Sequence, residues 1–137
     1  MVPAKAMPSK KLWLGFLYKG KLHMDLGEFK LAEACFRKIT TLDPGSTSGW
    51  VYLANSLAKQ ERFAEACQVS KLGLKAKGDI DEVYFNLGLN KQALGKYKEA
   101  RRCFEKALEL DPQYKEAKRA CKDLELLERA LKQLKMK

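Results

Sequence analysis

A period of 34 residues runs through this chain and restricts what it can fold into. Aromatic residues recur at Phe16, Trp50 and Tyr84, and a second set at Phe29, Phe63 and Tyr97 keeps the same interval. Ala32, Ala66 and Ala100 repeat it again, while Pro44 and Pro112 stand two intervals apart with Gly78 between them. A repeat of this length is one supersecondary unit that cannot bury its apolar face alone, so the copies must stack into a continuous core.

Each copy reads as two short helices. In the third, "DEVYFNLGLNKQAL" is amphipathic, with Tyr84, Leu87, Gly88 and Lys91 on one face. Gly95 then interrupts, and "YKEARRCFEKALEL" follows with Tyr97, Ala100, Phe104 and Ala107 at helical spacing. Glycine in a helix interior costs roughly 0.8–1.0 kcal/mol relative to alanine, so Gly88 and Gly95 need reasons. Gly95 suits a left-handed turn between two antiparallel helices. Gly88 and Ala100 suit a place where the two helices press together. "LDPQY" closes the copy, since proline cannot continue a helix.

Residues Tyr84-x2-Leu87-Gly88, Ala100-x3-Phe104, Ala107 and Pro112 carry a resemblance to the tetratricopeptide repeat (TPR) family. The first copy adds Phe16, Gly20, Ala32-x3-Phe36 and Pro44, with Lys19 where leucine is usual. The second adds Trp50-x2-Leu53-Ala54 and Ala66, but carries Ser70, Gly73 and Gly78 in place of the aromatic, alanine and proline. Those departures predict a looser second helix in copy two. The resemblance implies an all-α, right-handed superhelical solenoid with repeats at 13–46, 47–80 and 81–114. It also implies a capping helix over 115–137, after a flexible lead-in at 1–12.

Composition excludes several classes. Hydrophobic residues make up 46 % and charged residues 32 %, which suits a globular protein. No apolar run approaches the roughly 18 residues of a membrane span, and no signal peptide is legible, so the expected location is cytoplasmic. The cysteines Cys35, Cys67, Cys103 and Cys121 form no CxxC pair, and His23 is the single histidine; free thiols and no metal or cofactor are expected. No phosphate loop, nucleophile elbow or zinc-protease motif appears, and carboxylates are spread among lysines and arginines, so no enzyme is expected. His23 is expected to pack half-buried. The net charge of +10 lies mostly at the two ends, with no aromatic-interleaved basic face, which disfavours nucleic acid or an acidic membrane as partner.

What remains is binding. In this family the concave wall is lined by the first helix of each pair. Carrying that geometry over gives Leu17, Tyr18 and Lys21 in copy one, Val51, Tyr52, Asn55 and Lys59 in copy two, and Phe85, Asn86 and Leu89 in copy three. Leu17, Val51 and Phe85 form one column at the repeat interval, and they are expected to stand beside the pairing residues rather than among them. An apolar stripe with amide edges suits a peptide or helical segment of a partner protein, consistent with a scaffold or adaptor. Family members that grip the acidic carboxylate tail of chaperones use Lys, Asn and Arg at places held here by Leu17, Lys21, Tyr52, Glu82 and Asn86, which argues against that ligand.

Two other roles stand beside this one. Leu124, Leu127, Leu131 and Leu134 step by three, four and three residues, a seam that could support weak self-association or a structural role in a larger protein. Two heptads alone do not specify a coiled coil. The cap is expected to need the seam only to about Leu127.

Overall fold

The computed structural model describes residues 9–136, of which 82 % are helical. Seven helices follow one another among these residues: α1 (Ser9–Asp25), α2 (Phe29–Leu42), α3 (Thr47–Lys59), α4 (Phe63–Gly73), α5 (Ile80–Ala93), α6 (Tyr97–Leu110) and α7 (Lys115–Met136). Each packs on its successor, and α3 also touches α5. The result is an all-α superhelical stack of hairpins. Of the segment expected to be a lead-in, residues 9–12 belong to α1, while 1–8 lie outside the described residues.

The turn inside each hairpin has one construction. Glu28, Arg62 and Lys96 donate their backbone N–H to the carbonyls of His23, Leu57 and Lys91 at 2.8, 3.0 and 2.9 Å. Gly27, Glu61 and Gly95 donate to Met24, Ala58 and Gln92 at 3.1, 2.9 and 2.9 Å. This is the Schellman pairing, which satisfies the last carbonyls of a helix and needs one left-handed residue. Gly27 (φ 76°) and Gly95 (φ 78°) supply it cheaply; Glu61 (φ 60°) holds the same place without glycine's freedom. Phe29, Phe63 and Tyr97 each open the second helix that follows.

Gly20 and Gly88 lie under aromatic rings. A Cβ on Gly88 would sit 2.5 Å from Cε1 of Phe104, and one on Gly20 would collide with the ring of Phe36. The close approach of α5 and α6 is thus between Gly88 and Phe104, with Ala100 fully buried beside it. Copy two resolves the same contact differently: Ala54 faces the hairpin where Ser70 replaces the ring, and both are buried. α4 is also shorter than α2 and α6, 11 residues against 14. It ends at Gly73, where a Cβ would meet Cβ of Trp50 at 3.0 Å.

The main core joins the first two copies through Phe36, Ile39, Leu53 and Leu57; a smaller one joins Phe104 to Leu124 of the cap. A polar clamp spans the two copies at their edge. Glu33, 9 % exposed, accepts from Arg37 at 2.8 Å, Gln60 at 3.0 Å and Arg62 at 2.6 Å, while Arg62 also holds Glu65 at 2.6 Å. Burial alone would push the Glu33 carboxyl up, but the hydrogen bonds from Gln60, Arg37 and Arg62 outweigh it and hold it below its ordinary value. α7 caps the stack as far as Leu124, which is fully buried, and half-buried Leu127; Leu131 is 37 % and Leu134 69 % exposed.

Candidate functional site

The first helices α1, α3 and α5 position the candidate residues. Lys21 shows how they share a wall, because its Nζ lies 5.1 Å from the centroid of the Tyr52 ring on the next first helix. A cation over an aromatic face is held by the ring quadrupole. Tyr52 itself stacks on Phe36, centroids 5.3 Å apart at 25°. Tyr18 stands 76 % exposed and Leu89 42 % exposed, Asn55 and Asn86 are half-buried, and Lys59 is exposed.

The expectation that the Leu17, Val51 and Phe85 column stands clear of the core needs correction. Val51 is only 8 % exposed, and Leu17 and Tyr52 pack against the main core. Phe85 sits between Phe104 and Tyr114, at centroid distances of 5.8 and 5.1 Å. These side chains form the floor of the wall and carry stability as well as shape. The residues that present area to solvent are Tyr18, Lys21, Lys59 and Leu89. The reason is that the second helices and the α6–α7 turn reach this side of the first helices: Tyr52 lies on Phe36 of α2, and Phe85 on Phe104 of α6 and on Tyr114.

Sequence reasoning missed the acidic corner at the third copy. Asp79, Asp81 and Glu82 at the start of α5 face Asp111 and Glu116 around Tyr114, enclosing a hollow of about 370 Å³. Burial pushes the Glu82 carboxyl up, and Asp81 and Asp79 push it further. The Tyr114 hydroxyl rises to about 12, through burial and then the Glu82 and Asp81 charges. The signal was present as three acids within four residues, but their meeting with Asp111 and Glu116 depends on the α6–α7 turn. The wall therefore runs from Lys21 and Lys59 at the C-terminal ends of α1 and α3 to a carboxylate cluster at the N-terminal end of α5.

His23 is half-buried, with Nδ1 3.1 Å from Oε1 of Glu28. Lys91 is buried and reaches Glu99 at 3.1 Å, and that bond is the main reason the Glu99 carboxyl is held down. The four cysteines are free. Among the described residues no group of three His, Cys, Asp or Glu side chains is placed to hold a metal ion. No described helix is long and apolar enough to cross a membrane.

Comparison with known proteins agrees with this geometry. The tetratricopeptide repeat family matches residues 17–76 and again residues 81–114. Protein CTR9 homolog of Arabidopsis thaliana is 30 % identical over 112 residues, which is 81 % of this chain; the chain spans 10 % of that protein's length. The first TPR domain of human RPAP3 superposes with a TM-score of 0.81 at 24 % identity, over 87 % of this chain and 94 % of that one. The second TPR domain of human RPAP3, in complex with the HSP70 peptide SGPTIEEVD, gives 0.79 at 20 % identity over 85 % and 98 %. At these identities the two structures establish the shared fold. The 34-residue columns, the repeated turn geometry and the family matches agree, and the chain belongs to the tetratricopeptide repeat family.

Proposed function

We propose that the chain is a protein-interaction module whose α1–α3–α5 wall holds a peptide or helical segment of a partner, as a scaffold or adaptor. The observation that carries this reading is the exposed Tyr18 beside the Lys21–Tyr52 pair. Tyrosine offers a large apolar face that tolerates water at one end, and such surfaces recur in recognition sites. Asn55 and Asn86 can each meet a peptide amide with both donor and acceptor. A largely preformed wall loses little ordering entropy, and affinity on the order of micromolar is expected for a short segment. The free thiols suit a reducing compartment, and the cytoplasm is the reading of location that goes with them.

The ligand this wall favours is partly apolar, with a basic residue towards Glu82. An acidic chaperone tail would bring its carboxylates to the Asp79–Asp81–Glu82 corner, where like charges repel. A similar TPR domain does hold such a peptide, so the comparisons lend this exclusion no support, and it rests on Glu82 and its neighbours.

A peptide-display selection against the purified chain, run beside a Tyr18→Ala, Leu89→Ala variant, tests both points. Enriched apolar peptides lost by the variant are expected. Equal enrichment on both proteins would remove the wall as the binding site. A synthetic peptide ending in EEVD serves as a third arm, and binding as tight as that of the selected peptides would overturn the charge argument.

A further inference from the structure

In the second and third copies, one face of the first helix is covered by the second helix of the copy before. On α3 that face carries Gly49, Leu53 and Ser56, and on α5 Val83, Leu87 and Asn90; all six are buried. The fit is knob into hole. A Cβ on Gly49 would meet Cγ2 of Ile39 at 2.8 Å, so α2 seats a branched side chain in the space glycine leaves. One copy later the roles reverse, with Gly73 of α4 as the hole and Val83 as the knob; a Cβ on Gly73 would stand 3.5 Å from Cγ1 of Val83.

The same three places on α1 hold Gly15, Lys19 and Leu22, and all are exposed. Among the described residues, a Cβ on Gly15 would meet nothing within 4 Å. With Lys11, Leu12 and Phe16, residues Gly15 and Lys19 wall a hollow of about 320 Å³, and Leu22 extends the face at 50 % exposure. The hole is built and nothing described fills it. At the other end of the stack the matching surface is closed: α7 packs on α6, with Ala120 and Leu124 against Phe104, and its own Lys118, Lys122 and Glu125 face solvent. A second copy therefore has no uncovered second helix to bring to α1.

We propose that this face of α1 seats an α-helix of a partner protein, one that places a branched aliphatic side chain at Gly15 and acidic residues beside Lys11 and Lys19. The face continues the series of helix-on-helix contacts already formed twice within the chain, which fixes the occupant as helical. The two lysines, standing where the next copy has Gly45 in the turn before α3 and Leu53 on it, fix the charge of its flanks. This surface meets the α1–α3–α5 wall at Tyr18, one helical turn from both Gly15 and Leu22, and lies on the opposite side of α1 from Leu17.

The test is selection of a displayed library of amphipathic helices on the whole chain. The expected winners carry an aliphatic stripe with acidic flanks, and they lose about tenfold or more in affinity against Gly15→Trp and Leu22→Glu variants. Gly15 has room for a side chain, so helicity by circular dichroism should stay at the wild-type level in the first variant. Affinity should be unchanged in Leu89→Ala, on α5 away from this face, and a Lys11→Glu, Lys19→Glu variant should turn the selection towards basic helices. No enriched helix, helices indifferent to these variants, or a wild-type dimer in sedimentation that Leu22→Glu abolishes would each overturn the proposal.

Discussion

Gly88 and Phe104 are a matched pair: the ring of Phe104 lies where a Cβ on residue 88 would be, at 2.5 Å. Gly20 and Phe36 repeat the pairing two hairpins earlier, while Ala54 and Ser70 replace both members together in the middle copy. Close packing of this kind makes one extra methyl group costly.

Gly88→Ala should therefore destabilise the chain despite the better helix propensity of alanine, by about 1–3 kcal/mol. Ser70→Phe should do the same, and adding Ala54→Gly should recover part of that loss. A thermal-melt double-mutant cycle measures the coupling, and additive effects would mean that the pair is not matched.

Glu61 occupies the left-handed turn position that Gly27 and Gly95 fill elsewhere. A left-handed conformation costs a non-glycine residue roughly 1–2 kcal/mol, partly offset by the greater unfolded entropy of glycine. Glu61→Gly is expected to raise the melting temperature by a few degrees, about 0.5–1 kcal/mol. A fall would show that the Glu61 side chain has a compensating contact.

The clamp at Glu33 gives a pH signature. Its folded carboxyl titrates below the unfolded one, so the stabilisation is complete above the unfolded value, about 4.3, and is lost as the pH falls through the folded value. Glu33→Gln should cost about 1–2 kcal/mol at neutral pH, because Arg62 and Arg37 lose a charged acceptor. Stability measured by urea titration should converge with wild type in acid. A constant gap across the pH range would assign the effect to shape instead.

Burial pushes the thiols of Cys67, Cys103 and Cys121 up. The thiolate is the reactive form, so alkylation at mildly alkaline pH should be about tenfold or more slower in the native chain than in denaturant. Native rates equal to denatured ones, read by mass spectrometry, would contradict the packing around α4, α6 and α7.

Tyr18→Ala should leave the unfolding free energy within about 0.5 kcal/mol of wild type, whereas Tyr52→Ala should lower it, since Tyr52 stacks on Phe36. An aromatic pair contributes about 0.5–1.5 kcal/mol beyond its buried area. Equal stability of the two variants would mean that the stack carries no weight.

Much of this architecture was legible before any coordinates. The helix pairs, the Gly95 turn, the aromatic openings at Phe29, Phe63 and Tyr97 and the small residues at Gly20 and Gly88 all follow from one period. Each is a local requirement, met by a residue type at a fixed place in its own hairpin. The contacts between hairpins were not legible. Whether Val51 faces solvent, whether Asp111 joins Asp81 in one corner, and whether Gly15 is filled as Gly49 is depend on which helix lies against which, at what distance.

The sequence by itself determined the repeat, the boundaries of the two helices of the third copy to within a residue and the positions that must be small, because these depend on backbone geometry and spacing that identical columns repeat. Tertiary structure alone decided which wall residues are floor and which are surface, since burial is a property of neighbours supplied by other copies. It also decided that the face of α1 stays open while the same face of α3 and α5 is closed, because only stacking places a second helix there.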